Sequence, residues 1–366
     1  MSSRWSFGVI ADLQFADIAT GTGFSASDTR YYRDSLQKAA AASTAFADAG
    51  CCAVLQLGDI IDGKTVGLPG YSPFKPAGSV AAEQRAAAAA AARAVLAQLS
   101  GGGGGAPAAA DAAPPLPTCH LRGNHECYAF TLEEMRGLLP PPPGAALFAP
   151  ERSLALSFSP RPGWRFVCLD PYEVSLAAPA GSTGRAEAER LLQANNPNMS
   201  DLSGNSKVDF FKGLTGLARR FVPFNGGLGG AQLAWLRGEL ASARAAGERV
   251  VLSCHIPLLP ARVREKKIQS GGWLVFDALE DKNDCLVYDF EEALAVVTEH
   301  ADVIVAVFSG HDHEGSFGED AAGVPHVAFQ SPLTHNEVAH AVVVVHGDRL
   351  EVRGEGAVPS RELRLK

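Results

Sequence analysis

Five short segments carry side-chain types that bind metal ions. They are Asp12–Leu13–Gln14, Gly58–Asp59–Ile60–Ile61–Asp62, Gly123–Asn124–His125–Glu126, His255 and Gly310–His311–Asp312–His313. Taken singly, each has a bland reading. A GDxxD can be a turn, and a histidine at a strand end is usually a hydrogen-bonded surface residue. Taken together, in this order and each after an apolar run, they describe one constellation. Cleaving a phosphate bond needs a strong nucleophile at neutral pH and shielding of anionic oxygens. Two divalent ions ~3.5–4 Å apart supply both, by acidifying a bridging water and clamping the phosphoryl group. Ions that close repel, so an anionic side chain should lie between them, and Asp59 is the candidate bridge. Imidazoles, carboxylates and amide oxygens in mixture suit Mn, Fe, Zn or Mg rather than a soft metal or a cluster.

The elements that must position these residues alternate. Strand-like runs cover Trp5–Asp12, Ala53–Asp59, Thr118–Asn124, Arg165–Asp170, Arg249–His255 and Asp302–His311. Helical patterns fall between several of them, at Arg30–Ala49, Ala81–Leu99, Gly230–Ala246 and Phe290–His300. The end of the chain reads as strands only: Val324–Phe329, His340–His346 and Leu350–Arg353. This order implies an α/β fold with an antiparallel addition, two packed sheets and helices outside. Such folds place ligands at the C-terminal ends of strands, where the five segments fall. Gly101–Pro117 (GGGGGAPAAADAAPPLP) is low-complexity and reads as a loop, and Pro140–Gly144 as a proline-rich turn. Gly181–Phe224 is polar and irregular, long enough to form a lid or a substrate wall. A single domain over residues 1–366, interrupted by the 101–117 loop, is expected.

Composition sets outer limits. With 366 residues, 46% of them hydrophobic, a large core is affordable. The net charge of −8 argues against a nucleic-acid or polybasic membrane partner. The first residues do not read as a signal peptide, because Asp12 interrupts a short apolar run. Nothing approaches a membrane span. The seven cysteines, Cys51, Cys52, Cys119, Cys127, Cys168, Cys254 and Cys285, are odd in number and mostly sit in strand-like runs. Reduced thiols and a cytoplasmic location are expected. His120, His326, His335, His340 and His346 lack the spacing of the five segments and are not expected to be ligands.

Asp-x-Gln, GDIID, GNHE, the His255 strand end and GHDH resemble the calcineurin-like metallophosphoesterase superfamily. The resemblance implies a four-layer α/β/β/α sandwich of two mixed sheets flanked by helices. It implies one metal held by Asp12, Gln14, Asp59 and His313, and a second held by Asp59, Asn124, His255 and His311. It implies His125 as acid or transition-state stabiliser over the phosphate, oriented by Asp62. Position 14 departs from the commoner Asp-x-His. An amide oxygen is harder than imidazole nitrogen, which favours Mn or Mg over Zn or Fe.

FGVIADLQFAD, TRYYRDSL, VLQLGDIIDG, RGNHECY, NNPN at Asn195, FNGGLGGAQLAWL and GHDHEGSFGEDAAGVPHV are similar to the manganese-dependent ADP-ribose/CDP-alcohol diphosphatases. That similarity implies hydrolysis of the pyrophosphate bond of ADP-ribose, CDP-choline or related nucleoside-diphosphate compounds; a monomer is expected. A phosphomonoesterase or cyclic-nucleotide phosphodiesterase with the same metals is the alternative. Substrate-contact candidates are Phe24 for stacking, Arg30, Arg33 or Arg122 for a second phosphate, and Asn225 for the lining of the cleft. Cys285 sits where the family places a cavity residue. Each has a competing role as core, turn or solvated charge.

Overall fold

The computed structural model describes residues 4–23, 29–66, 74, 80–101, 116–202, 208–268, 272–278 and 283–365. Two sheets face each other. The first runs in the order Arg361–Arg364, Arg349–Gly356, Ala339–Val345, Trp5–Ile10, Val54–Gln56, Thr118–His120. Its last three strands are mutually parallel and joined by the helices Ser35–Asp48 and Ala82–Leu99, which cover its outer face. The second sheet has nine strands. Its centre is parallel: Trp164–Leu169, Arg249–Cys254, Ile304–Ser309 and Pro325–Ala328. The helix Gly229–Ala246 packs on this sheet, and Phe290–Glu299 packs on that helix. The layers are therefore helix, sheet, sheet, helix, as the sequence pattern implies.

Alternation explains why the sheets meet. Successive strand residues point to opposite faces, so Trp5, Phe7 and Val9 face the second sheet. Phe7 meets Phe166 with ring centroids 4.9 Å apart, and Trp5 meets Trp164 at 5.4 Å. Leu55, Leu57, Val251, Phe308 and Val343 complete this dry layer. Removing one such aromatic side chain costs roughly 3–5 kcal/mol. The opposite faces of the strands bury Ile10, Val54, Val250, Leu252 and Val307 with helix residues Phe46, Val95, Leu236 and Leu240.

The structure redraws several expected boundaries. Helix starts at Ser35 rather than Arg30, because Thr29–Arg30 forms a short strand with Gly21–Thr22. The Gly181–Phe224 stretch is not structureless. Ser182 caps a helix over Thr183–Asn195 by accepting from the Arg185 amide, and short 3₁₀ turns follow at Pro197–Met199 and Gly216–Arg220. This stretch closes a small core of its own around Leu192, Met199, Phe221 and Tyr288. Asn196 of NNPN holds it together, its Nδ2 donating to the carbonyls of Phe210 and Phe221 at 3.1 and 2.7 Å. The extra strands Val263–Lys267 and Trp273–Asp277 form an edge hairpin that the sequence pattern did not reveal. Most of the 101–117 loop lies outside the described residues. All seven cysteines are free thiols, with Cys119 and Cys168 in contact across the two sheets, 3.4 Å between sulfurs. No helix among the described residues is long and apolar enough to cross a membrane.

Candidate metal centre

Parallel strands from both sheets end at the same place. Asp12 follows Ile10, Asp59 follows Gln56, and Asn124 follows His120 in the first sheet. His255 follows Cys254 and His311 follows Ser309 in the second. Backbone bonds lace the first two turns together: Asp12 N–H to Gly58 O, Gln14 N–H to Asp59 O, and Asp62 N–H to Phe15 O. Other bonds cross the seam between sheets. His255 Nδ1–H donates to Leu57 O at 2.6 Å, and the His311 amide donates to both carboxylate oxygens of Asp12 at 3.1 and 2.9 Å.

The turns are tightly wound at the ligand positions. Among the described residues, five non-glycine residues have positive φ, and Asp12 (50°), Gln14 (42°), Asp59 (55°) and His311 (64°) are four of them. Each such conformation costs of order 1–3 kcal/mol and persists only where the surroundings enforce it. Two glycines make the crowding possible. Gly58 has φ +101°, and a Cβ there would strike the His255 ring. A Cβ on Gly123 would strike the Asp59 carboxylate.

Ligand atoms of Asp59, His255 and His311 all lie within 4.8 Å of one another, all buried. Asn124 completes this half. Its Nδ2 donates to Tyr128 Oη at 2.9 Å, which turns Oδ1 toward His255 Nε2, 3.3 Å away. On the other side His313 Nε2 is 3.7 Å from Asp12 Oδ1. Gln14 sits between, but with its amide turned. Nε2 donates to Asp59 Oδ2 at 3.0 Å and lies 2.9 Å from His313 Nε2, while Oε1 meets Arg30 Nη1 at 3.5 Å. Ligation through Oε1 requires a half-turn of this amide.

The electrostatics suit cations. Burial, with the Asp59 charge adding to it against the opposing pull of His255, raises the Asp12 carboxyl well above its usual range. Burial opposes ionisation of Asp59 too, yet the imidazoles of His255 and His125 hold it low. Burial alone would depress His255, but Asp59 and Asp12 lift it to about 9. Burial, then His255, pushes His311 down to about 3, and burial and Arg30 push His313 well below its ordinary value. Two nearby buried carboxylates among imidazoles are a donor set that divalent ions satisfy. The residues fit divalent metal.

Thirty per cent of residues are identical over 378 positions with the human manganese-dependent ADP-ribose/CDP-alcohol diphosphatase, covering 99% of this chain and 93% of that one. The rice enzyme of the same name is 32% identical, covering 98% and 94%. The chain belongs to this family. A solved dimetal phosphatase from Danio rerio superposes with a TM-score of 0.78 at 26% identity, covering 99% of both chains. No family model matches the chain. Members of the diphosphatase family are hydrolases of acid anhydrides, and this chain is one.

Around this diphosphatase centre the other candidates fall into distinct places. His125 is buried at the start of the helix Asn124–Ala129. Its Nδ1 accepts from the Gly63 amide at 2.8 Å, so the neutral ring carries its proton on Nε2. Asp62 Oδ2 is 3.6 Å from that Nδ1, and its Oδ1 accepts from the Lys64 amide. The Gly63 amide thus makes the close contact expected of Asp62. Arg30 is buried beside Gln14, with Nη1 3.9 Å from Asp62 Oδ2. Arg122 is committed to buried Asp170: Nε donates to Oδ1 at 2.9 Å, and Nη2 lies 2.8 Å from Oδ2. Cys285 lies against the centre, Sγ 3.7 Å from His311 O. Phe24 lies outside the described residues.

Some contributors escaped sequence reasoning. Glu126 accepts backbone N–H groups from Asp59, Ile60, Ile61 and Gly123 and so shapes the Asp59 turn. Its spacing of three from Gly123 is a capping signal that could have found it. Arg264 is buried and ties Asp312 Oδ1 and Gly315 O at 2.8 and 3.2 Å, bracing the GHDH turn. No motif marked Arg264.

Proposed function

We propose that this protein hydrolyses the pyrophosphate bond of ADP-ribose, CDP-alcohols or related nucleoside-diphosphate compounds, with two divalent ions and Mn preferred. The observation that carries the reading is the convergence of Asp59, His255 and His311 at one buried point, in a chain aligned over nearly its full length with relatives named for that activity. Asp12, Gln14, Asp59 and His313 would hold one ion, and Asp59, Asn124, His255 and His311 the other. When bound, the ions supply an acidified water and a shield for the phosphoryl oxygens.

The chain's own residues do the rest. Asp59 would serve both ions with one carboxylate, whose Oδ1 accepts from the His125 amide at 2.9 Å. His125 offers Nε2–H at the rim of the cluster, 3.9 Å from Asp59 Oδ2. There it donates to the phosphoryl group or the departing oxygen. A departing phosphate monoester leaves as an anion, so charge stabilisation outweighs proton donation for this substrate class. Arg30 sits close enough to the cluster to meet the second phosphate. The enzyme acts as a monomer in the cytoplasm in this reading.

The test is product identification with Mn²⁺ on ADP-ribose and CDP-choline beside cyclic AMP and p-nitrophenyl phosphate. Two phosphate monoesters from each dinucleotide-like substrate are expected. Preferential turnover of cyclic AMP or p-nitrophenyl phosphate overturns the assignment.

A further inference from the structure

The FNGG segment has no task in the metal chemistry described so far, although its asparagine is fully buried. Asn225 Nδ2 donates to Arg220 O at 2.9 Å and to Asp284 O at 2.6 Å. Two carbonyls on one side fix the amide, because an oxygen in that place would face both of them. Oδ1 is therefore directed to the other side, where His311 Nε2 stands 2.8 Å away. An amide oxygen only accepts, so Nε2 must carry the proton of the neutral ring, and Nδ1 keeps its lone pair. Three of the amide's four hydrogen-bonding positions are thus taken. A substrate could reach Asn225 only by breaking these bonds, so the cleft-lining role read from the sequence does not suit it.

We propose that Asn225 is a positioning residue that selects the His311 tautomer, leaving Nδ1 as the ligating nitrogen. Its second effect is to tie that ring to the segment that carries Cys285. The imidazole is held from three directions. Asn225 grips Nε2, the Asp12 carboxylate accepts from the His311 amide, and the His255 ring packs edge-on at 5.0 Å. The Asp284 carbonyl that anchors Asn225 adjoins Cys285, whose thiol donates to His311 O. A shift of the 284–285 backbone is then felt at the metal ligand through one side chain. Partners of this kind are typically worth 10–100-fold in metal affinity or activity.

The inference rests on the two-metal reading, and the experiment separates the two. Full-length wild type, Asn225→Leu and Asn225→Asp are titrated with Mn²⁺ alone by calorimetry, and thermal melting is recorded for each. Wild type should take up two ions; fewer than two overturns the two-metal reading, and this inference with it. Asn225→Leu, which cannot accept from Nε2–H, should weaken one of the two sites about 10–100-fold and leave the other unchanged. Asn225→Asp keeps the acceptor but loses both donors, so it should melt lower while holding Mn²⁺ within a few-fold of wild type. Metal affinity that follows melting temperature across the three proteins would reduce Asn225 to a packing residue and overturn the proposal. Long-range ¹H–¹⁵N histidine spectra of Mg²⁺-loaded wild type provide a check that needs no variant. A proton on His311 Nε2 supports the proposal, and a proton on Nδ1 overturns it.

Discussion

Glu126→Gln is the substitution whose cost can be worked most directly from the geometry. The buried carboxylate takes four backbone N–H groups, two on each oxygen. Oε2 accepts from Asp59 at 2.8 Å and Gly123 at 2.9 Å, and Oε1 from Ile60 at 2.8 Å and Ile61 at 3.4 Å. Glutamine has one oxygen, so its NH₂ must face one of these donor pairs. The milder choice sacrifices the Ile60 and Ile61 side, one short bond and one long one. Hydrogen bonds to a charged group are worth about 1.5–3 kcal/mol each, so the loss should be about 2–4 kcal/mol with the long bond discounted. Burial, then the Asp59 charge, raises Glu126 to about 7, so the comparison belongs at pH 8, where the wild-type side chain is ionised. Urea unfolding followed by circular dichroism measures the difference. Mn²⁺ affinity should fall in parallel, because the turn that these bonds shape carries Asp59, the proposed shared ligand. A stability change below about 1 kcal/mol with unaltered Mn²⁺ binding would refute the reasoning, since the Ile60 and Ile61 amides would then have found other acceptors at no cost.

Gln14→His should move the activating metal from Mn toward Zn or Fe, read by titrating metal-stripped enzyme with each ion; a wild-type optimum with Zn alone would contradict this. His125→Ala should lose about 10²–10⁴-fold in rate with both metals retained. The loss should be larger for poorer leaving groups, and metal analysis of the variant shows whether His125 is a ligand after all. His340 tests the acid response. It is buried, neither ring nitrogen has a hydrogen-bond partner among the described residues, and burial pushes it down to about 4. A histidine depressed on folding supports stability above its unfolded value near 6.5 and loses that support as pH falls toward 4. Its share between pH 7 and pH 5 is about 2 kcal/mol, so His340→Leu should flatten the pH dependence of urea unfolding by that amount.

The sequence made the converging strand ends legible because each motif couples a local backbone need to a chemical one. Gly58 and Gly123 are glycine because the His255 ring and the Asp59 carboxylate occupy the space of a Cβ, so the pairs Gly–Asp and Gly–Asn read as turns and as candidate sites at once. The alternation of strands and helices likewise gave the layers. The sequence was silent where a role depends on partners far away in the chain. Arg122 has the chemistry of a phosphate clamp, and only the fold shows Asp170, forty-eight residues on, occupying it. Asn225 looked like a cleft residue until Arg220, Asp284 and His311 surrounded it. The helix Thr183–Asn195 was legible in principle, with Ser182 as its cap, but the polar residues around it masked the pattern.

The aromatic layer between the sheets acts as a spacer. Asp12, Gln14, Asp59 and Asn124 ride on one slab, and His255, His311 and His313 on the other, so the gap between the two groups is the thickness of the stacked rings beneath. Phe7 against Phe166 and Trp5 against Trp164 fix that thickness at the far end from the ligands. Dense cores transmit strain rather than absorb it. Thinning the layer with Phe166→Leu should tilt one slab toward the other and shift the two groups of side chains relative to each other, without touching any of them. The spacing of these groups is then set partly by hydrocarbon, at the other end of the strands from the side chains that meet there.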